Sequence, residues 1–165
     1  MGLSHEKIAF FADALYRSRN EVSSIDPLSQ QEPDITIPEA YAVQMLNVQK
    51  DLALGKRITG KKIGLTSLAM QRVFNVDQPD YGHLFDDMEV VDGKIRADSM
   101  ILPRVEAEIT FHLKSPLKTA PFTVENVLDA TDYVVASLEI VDSRIHDWKI
   151  KIVDTIADNA SSGRY

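Results

Sequence analysis

The chain contains no cysteine, so disulfides, thiolate metal ligands and a cysteine nucleophile are all excluded. No apolar stretch approaches the roughly 20 residues that cross a bilayer as a helix. The opening MGLSHEKIAFF has an early glutamate and no basic segment leading into a long apolar run, so no signal peptide is expected. Basic residues are in the minority: 18 Lys plus Arg stand against 25 Asp plus Glu, for a net charge of −7. That balance argues against nucleic acid or an anionic membrane as the main partner. A reducing cytoplasm is the expected compartment. There is no internal repeat and no low-complexity tract.

What is present suits a globular fold, with 165 residues, 44% of them apolar and 26% charged. Ile8, Phe11 and Leu15 recur at helical spacing behind Ser4, a suitable N-cap, and predict a helix from Ser4 to about Val22. The Pro- and Ser-rich segment 23–34 reads as a loop. A second helix then starts on a capping-box pattern, Thr36 and Glu39, with Pro38 in its first turn. Its apolar stripe is Tyr41, Met45, Val48 and Leu52, and Gly55 ends it.

Beyond Gly55 the segments shorten. A strand is predicted over 57–63, a Ser67-capped helix through Phe74, a turn at Gln78-Pro79-Asp80-Tyr81-Gly82 and a hairpin at Asp92-Gly93. Residues 105–113 alternate as a strand, 123–130 form a short capped helix, and 133–141 form an apolar, β-branched strand that should be buried on both faces. The expected class is α+β, with a helical segment over 1–55 and a mixed, β-rich segment over 56–165.

Chemistry concentrates first at Pro103-Arg104-Val105-Glu106-Ala107-Glu108-Ile109. Residues i and i+2 of a strand share a face, so Glu106 and Glu108 stand side by side and repel each other unless water or a cation lies in front of them. An antiparallel strand with one wet face explains the pair without a metal. Glu139 raises the second possibility, because it interrupts Val134-Val135-Ala136-Ser137-Leu138-Glu139-Ile140-Val141, where a buried carboxylate needs a proton, a basic partner or a metal. Arg144 is one available partner. If the two strands are neighbours, three carboxylates converge, and a hard divalent cation such as Mg²⁺ or Mn²⁺ fits that donor set.

Lys62 lies between Gly60 and Gly64, where close backbone approach is possible, but its spacing is not that of a P-loop. The stretch Asp154-Thr155-Ile156-Ala157-Asp158-Asn159-Ala160-Ser161 is dense in small polar groups and is equally suited to a helix cap or turn. His5, His83, His112 and His146 show no metal-binding pairing.

GKKIGLTSLAMQ, QPDYGHLFDDM, LPRVEAEI, LEIVDSRIHDWKIKIVDT and ADNASSGRY, in that order, resemble the 2-hydroxypenta-2,4-dienoate (2-keto-4-pentenoate) hydratases. These are fumarylacetoacetate hydrolase-like proteins of bacterial aromatic meta-cleavage pathways. The resemblance runs from about Ile35 to Tyr165. It implies a β-rich core and Mg²⁺ or Mn²⁺ held by Glu106, Glu108 and Glu139. It further implies a functional Lys62 in substrate charge or proton transfer, Asp80 in proton transfer or water orientation, and secondary polar roles for Asp158 and Ser161. The implied reaction is hydration of the dienoate to 4-hydroxy-2-oxopentanoate, by a homo-oligomer that can pair with a related decarboxylase.

The sister 4-oxalocrotonate decarboxylases share the metal site and are the alternative. Asp80 and Trp148-Lys149-Ile150-Lys151 favour the hydratase, and the segment after Asp142-Ser143-Arg144 lacks the Arg- and Pro-rich length of the hydratases for seven-carbon dioates. Family members are longer, so the chain is read as the N-terminal part of such an enzyme, with a core incomplete at the C-terminus. A sheet lacking strands should expose an edge and apolar surface. A third reading follows from that: a non-catalytic subunit that depends on a full-length partner.

Overall fold

The computed structural model describes residues 2–118 and 120–165. Helix α1 (His5–Glu21) begins where the Ser4 hydroxyl accepts the Lys7 N–H at 3.2 Å, and it ends at Val22 in a left-handed conformation, φ 50°. Segment 23–34 is not simply a loop, because it contains the single turn α2 (Leu28–Gln31) with Leu28 fully buried. Ser29 ties that turn down by donating its N–H and hydroxyl to Asp154 at 2.9 and 2.7 Å.

Helix α3 (Ile37–Ala53) carries the anticipated Thr36/Glu39 capping box. Its buried face, however, is Ala40, Val43, Gln44, Val48 and Asp51, and Leu52 of the expected stripe is 43% exposed. Two polar residues on the inner face hid it from the hydropathy pattern. Both have partners: Gln44 Nε2 donates to the Ile156 and Tyr81 carbonyls at 2.8 and 3.1 Å. Asp51 accepts a two-point contact from Arg19 at 2.7 and 2.8 Å and an ion pair from Lys56 at 3.1 Å.

Strand β1 (Ile58–Gly64) leads into α4 (Leu68–Phe74), capped by Ser67 as expected, and β2 (Asp80–Phe85) returns antiparallel to β1 with Lys62 opposite Gly82 and Gly64 opposite Asp80. The predicted turn at 78–82 is therefore corrected: pairing with β1 draws Asp80, Tyr81 and Gly82 into a strand. The Asp92-Gly93 hairpin is corrected too. Gly93 does turn the chain at φ +68°, but no strands flank it. Val90 N–H donates instead to the Tyr165 carbonyl (2.8 Å), and Tyr165 N–H to Met88 (3.1 Å).

Strand β3 (Arg104–Leu113), helix α5 (Val124–Ala130) and strand β4 (Thr131–Val141) follow, then α6 (Ile152–Ala157) and the short β5 (Ser162–Arg164). The sheet order is β3-β4-β5, with antiparallel pairing throughout. Helices α1, α3 and α6 share one core around Phe11, Leu15, Leu28, Val43, Ile145 and Ile156. Together these elements make an α+β fold.

Burial of β4 on both faces was expected and is not observed. Tyr133, Val134, Val135 and Leu138 are 44–59% exposed, as are Val105, Ile109 and Phe111 on β3 at 50–65%. β5 pairs only with Ile140 and Val141, so the rest of the β3–β4 ribbon projects without cover from the described residues. Among the described residues, no helix is long and apolar enough to cross a membrane.

Candidate metal centre

The register of β3 on β4 sets Glu106 directly opposite Glu139 and Glu108 opposite Ser137. Like charges directly opposite on one sheet face are destabilising, yet here a third carboxylate joins the pair. One oxygen each from Glu106, Glu108 and Glu139 lies within 4.8 Å of the others. Glu106 and Glu108 are exposed, whereas Glu139 is 6% exposed because the far end of β4 is the part that the rest of the fold covers. Burial chiefly, and then repulsion from Glu106 and Glu108, hold the Glu139 carboxyl above the usual carboxylate range, while Lys62 opposes the rise.

Lys62 is placed by the antiparallel β1–β2 pair. Its ammonium donates to the Ala160 carbonyl at 2.9 Å and stands 3.2 Å from Glu139 Oε1. The second contact is an ion pair by distance only, and Glu139 Oε1 has no well-aligned hydrogen bond. Arg144, weighed from sequence as the partner of Glu139, is engaged elsewhere. Its guanidinium, 5% exposed, binds both the carboxylate and the carbonyl of Asp158 and reaches the Asp142 and Ser162 carbonyls at 2.6 and 2.8 Å. Both Asp158 carboxylate oxygens are taken by Arg144, one by its backbone N–H at 2.9 Å. Burial pushes the Asp158 carboxyl up to about 6 against the pull of that guanidinium.

Asp80, 2% exposed, shares a hairpin face with Lys62, and its Oδ2 has no hydrogen-bond partner. Burial raises its carboxyl above the normal range, with Lys62 pulling the other way. Room for that side chain comes from Gly64, where a Cβ would strike Asp80 Oδ1. Gly82 on the same face admits the backbone of Asn159, which a Cβ there would strike. Ser161 is 3% exposed with an unpartnered Oγ. It ends a turn in which Asn159, Ala160 and Ser161 all have left-handed φ, 54°, 52° and 53°. Three consecutive non-glycine residues in that region cost roughly 1–2 kcal/mol each, and such strain persists only where the surroundings hold it.

Buried polar atoms without hydrogen-bond partners at Asp80, Glu139 and Ser161, beside three carboxylates that repel one another, are the features a bound cation and a polar ligand would satisfy. An all-oxygen donor set fits a hard divalent cation. Sequence reasoning missed Asn159, the Ala160 carbonyl and the clamping role of Arg144. Its only signal was the density of small polar residues before Ser161.

An α+β fold that presents three carboxylates from two adjacent strands beside a lysine defines a class of protein with the donor set for a divalent cation. Comparison with known proteins narrows this. Over 155 residues the chain is 50% identical to the 2-keto-4-pentenoate hydratase of Paraburkholderia xenovorans LB400, covering 93% of this chain and 58% of that protein. Over 155 residues it is 43% identical to a 2-hydroxypent-2,4-dienoate hydratase of Pseudomonas putida, covering 93% of this chain and 70% of that one. The chain belongs to the 2-hydroxypenta-2,4-dienoate (2-keto-4-pentenoate) hydratase family.

No protein-family model matches it. Among solved structures, 4-oxalocrotonate decarboxylase from Pseudomonas putida G7, complexed with magnesium and adipate, superposes with a TM-score of 0.93 at 34% identity. That match covers 98% of this chain and 62% of the decarboxylase. The same enzyme has also been solved with calcium and acetate. The chain thus spans about three fifths of the length of most of these relatives.

Proposed function

We propose that this chain carries the cation site and proton-transfer groups of a hydratase that adds water to 2-hydroxypenta-2,4-dienoate, giving 4-hydroxy-2-oxopentanoate. The observation that carries this reading is the convergence of Glu106, Glu108 and Glu139 within 4.8 Å beside Lys62, in a chain 50% identical to a 2-keto-4-pentenoate hydratase. Mg²⁺ or Mn²⁺ held by the three glutamates would supply Lewis-acid polarisation of the substrate's 2-oxygen.

The remaining work falls to the chain's own groups. Lys62 offers an ammonium to the substrate's charge while the Ala160 carbonyl fixes its position. Asp80, whose burial favours its protonated form, carries a proton toward the terminal carbon and then orients the water that adds to the conjugated alkene. The Ser161 hydroxyl, buried and unpartnered, is a further polar contact for substrate or water. Asp158 acts at one remove, holding Arg144 and the turn that Arg144 clamps.

The test is loss of dienoate absorbance by the full chain with and without Mg²⁺ or Mn²⁺. A cation-dependent rate that disappears in Glu106→Ala is expected; a metal-independent rate, or an unchanged one in that variant, refutes the reading. Likeness to a decarboxylase at a TM-score of 0.93 favours a second activity, CO₂ release from 4-oxalocrotonate, and that assay decides between the two. The uncovered apolar ribbon of β3 and β4 favours assembly with another subunit, whether a second copy or a decarboxylase, and sedimentation with and without the cation tests it.

A further inference from the structure

The free edge of β2 is closed by a side chain. His83 N–H donates to Asn159 Oδ1 at 2.8 Å, and Asn159 Nδ2 donates to the His83 carbonyl at 2.9 Å. A primary carboxamide carries its carbonyl oxygen and one of its two N–H donors on the same side, so Asn159 satisfies both backbone groups of an edge residue that a third strand would otherwise pair. The contact is at the first residue of the left-handed turn. Asparagine tolerates that backbone region better than most residues, whereas Ala160 and Ser161 have no such preference.

Two further contacts close the turn, from the Ser162 hydroxyl to the Asn159 carbonyl at 2.7 Å and from Asp142 N–H to the Ser161 carbonyl at 2.8 Å. The Ala160 carbonyl, between these points, holds the Lys62 ammonium.

We propose that Asn159 is a positioning residue for Lys62: by docking on the edge of β2 it fixes the Ala160 carbonyl that holds the lysine beside Glu139. The clamp and the lysine share one antiparallel strand pair, since Lys62 faces Gly82 across the β1–β2 ladder and His83 is the next residue. Any shift of the turn away from β2 therefore withdraws the Ala160 carbonyl from Lys62. The catalytic consequence rests on the hydratase reading, but the positional one does not.

Asn159→Gly is the informative variant, because glycine keeps the left-handed backbone accessible and removes only the amide. Limited acetylation of the full chain with acetic anhydride, read residue by residue by mass spectrometry, reports how often each amine is free. Lys62, with its side chain 11% exposed, should be protected in the parent relative to Lys149 at 61%. In Asn159→Gly the Lys62 rate should rise about tenfold while that of Lys149 stays constant. Mn²⁺ affinity should be no weaker than in the parent, since the three glutamates are kept and the Lys62 charge that stands 3.2 Å from Glu139 Oε1 is withdrawn.

Asn159→Asp, which can still accept from His83 N–H but cannot donate to its carbonyl, should fall between the two. Dienoate turnover, if present in the parent, should fall roughly a hundredfold in kcat in Asn159→Gly. Absence of turnover in every protein with the labelling pattern intact would remove the hydratase reading and leave this one standing. Lys62 as protected as in the parent in a folded Asn159→Gly overturns the proposal. So does unfolding of both variants with uniform labelling of all lysines, because Asn159 would then be a general stability determinant.

Discussion

Acidification from pH 7 to pH 5 should remove the stability contributed by one residue, His83, while the raised carboxyl of Asp158 works in the opposite direction. The His83 imidazole is 3% exposed, its Nδ1 has no partner, and Lys61 Nζ lies 2.5 Å from its Nε2. Burial first, and the Lys61 charge second, lower its pKa from 6.5 to about 4. The folded state therefore holds neutral histidine where the unfolded chain, at about 6.5, already takes up a proton. Between those two values the unfolded state binds more protons, so stability is full above pH 6.5 and is lost as pH falls toward 4. For this shift the loss is about 2 kcal/mol between pH 7 and 5 and about 3 kcal/mol by pH 4.

Urea melts followed by circular dichroism at half-unit pH steps give the curve, and the same series on His83→Gln removes the contribution of every other titrating group. The parent-minus-variant difference should shrink by about 2 kcal/mol from pH 7 to 5. A difference flat across that window, or an imidazole NMR titration near 6.5 in the folded protein, would refute the reasoning.

Replacing Glu106, Glu108 or Glu139 with Gln should weaken Mn²⁺ binding by on the order of a hundredfold, read by isothermal titration, since each removes one anionic ligand from a three-carboxylate set. In Asp80→Asn the cation affinity should be kept while kcat for dienoate hydration drops on the order of 10² to 10⁴-fold, the range for a lost proton-transfer group. Arg144→Met leaves the Asp158 carboxylate buried without its guanidinium and should cost about 3–5 kcal/mol of stability in chemical denaturation. Gly82→Ala should loosen the 159–161 turn, because its Cβ meets the Asn159 backbone, and Lys62 acetylation should rise in step with the loss of turnover.

Helix starts were legible in the sequence because their causes are local. Ser4, Thr36, Ser67 and Thr123 each cap the helix that their spacing announced. The alternation over 105–113 likewise gave β3 nearly to the residue, since strand periodicity is carried by neighbours in the chain. Local signals failed where a distant segment supplied the partner. Tyr81 and Gly82 looked like a turn until β1 paired with them, and the Asp92-Gly93 flank lost its hairpin to Tyr165. The inner face of α3 was obscured because Gln44 and Asp51 are buried on the strength of bonds to residues far along the chain.

The candidate site divides in the same way. Spacing by itself put Glu106 and Glu108 on one face, and the apolar context of Glu139 marked it as a carboxylate in need of a counter-charge. The resemblance of the surrounding blocks implied a cation and a substrate class for those three residues. Only the tertiary structure decided that Glu139 meets Lys62 and not Arg144, that Arg144 is spent on Asp158, and that Asn159 closes the edge of β2. The reason is physical: periodicity encodes which side of an element a residue faces, whereas the partner of a buried charge is set by how separate elements dock.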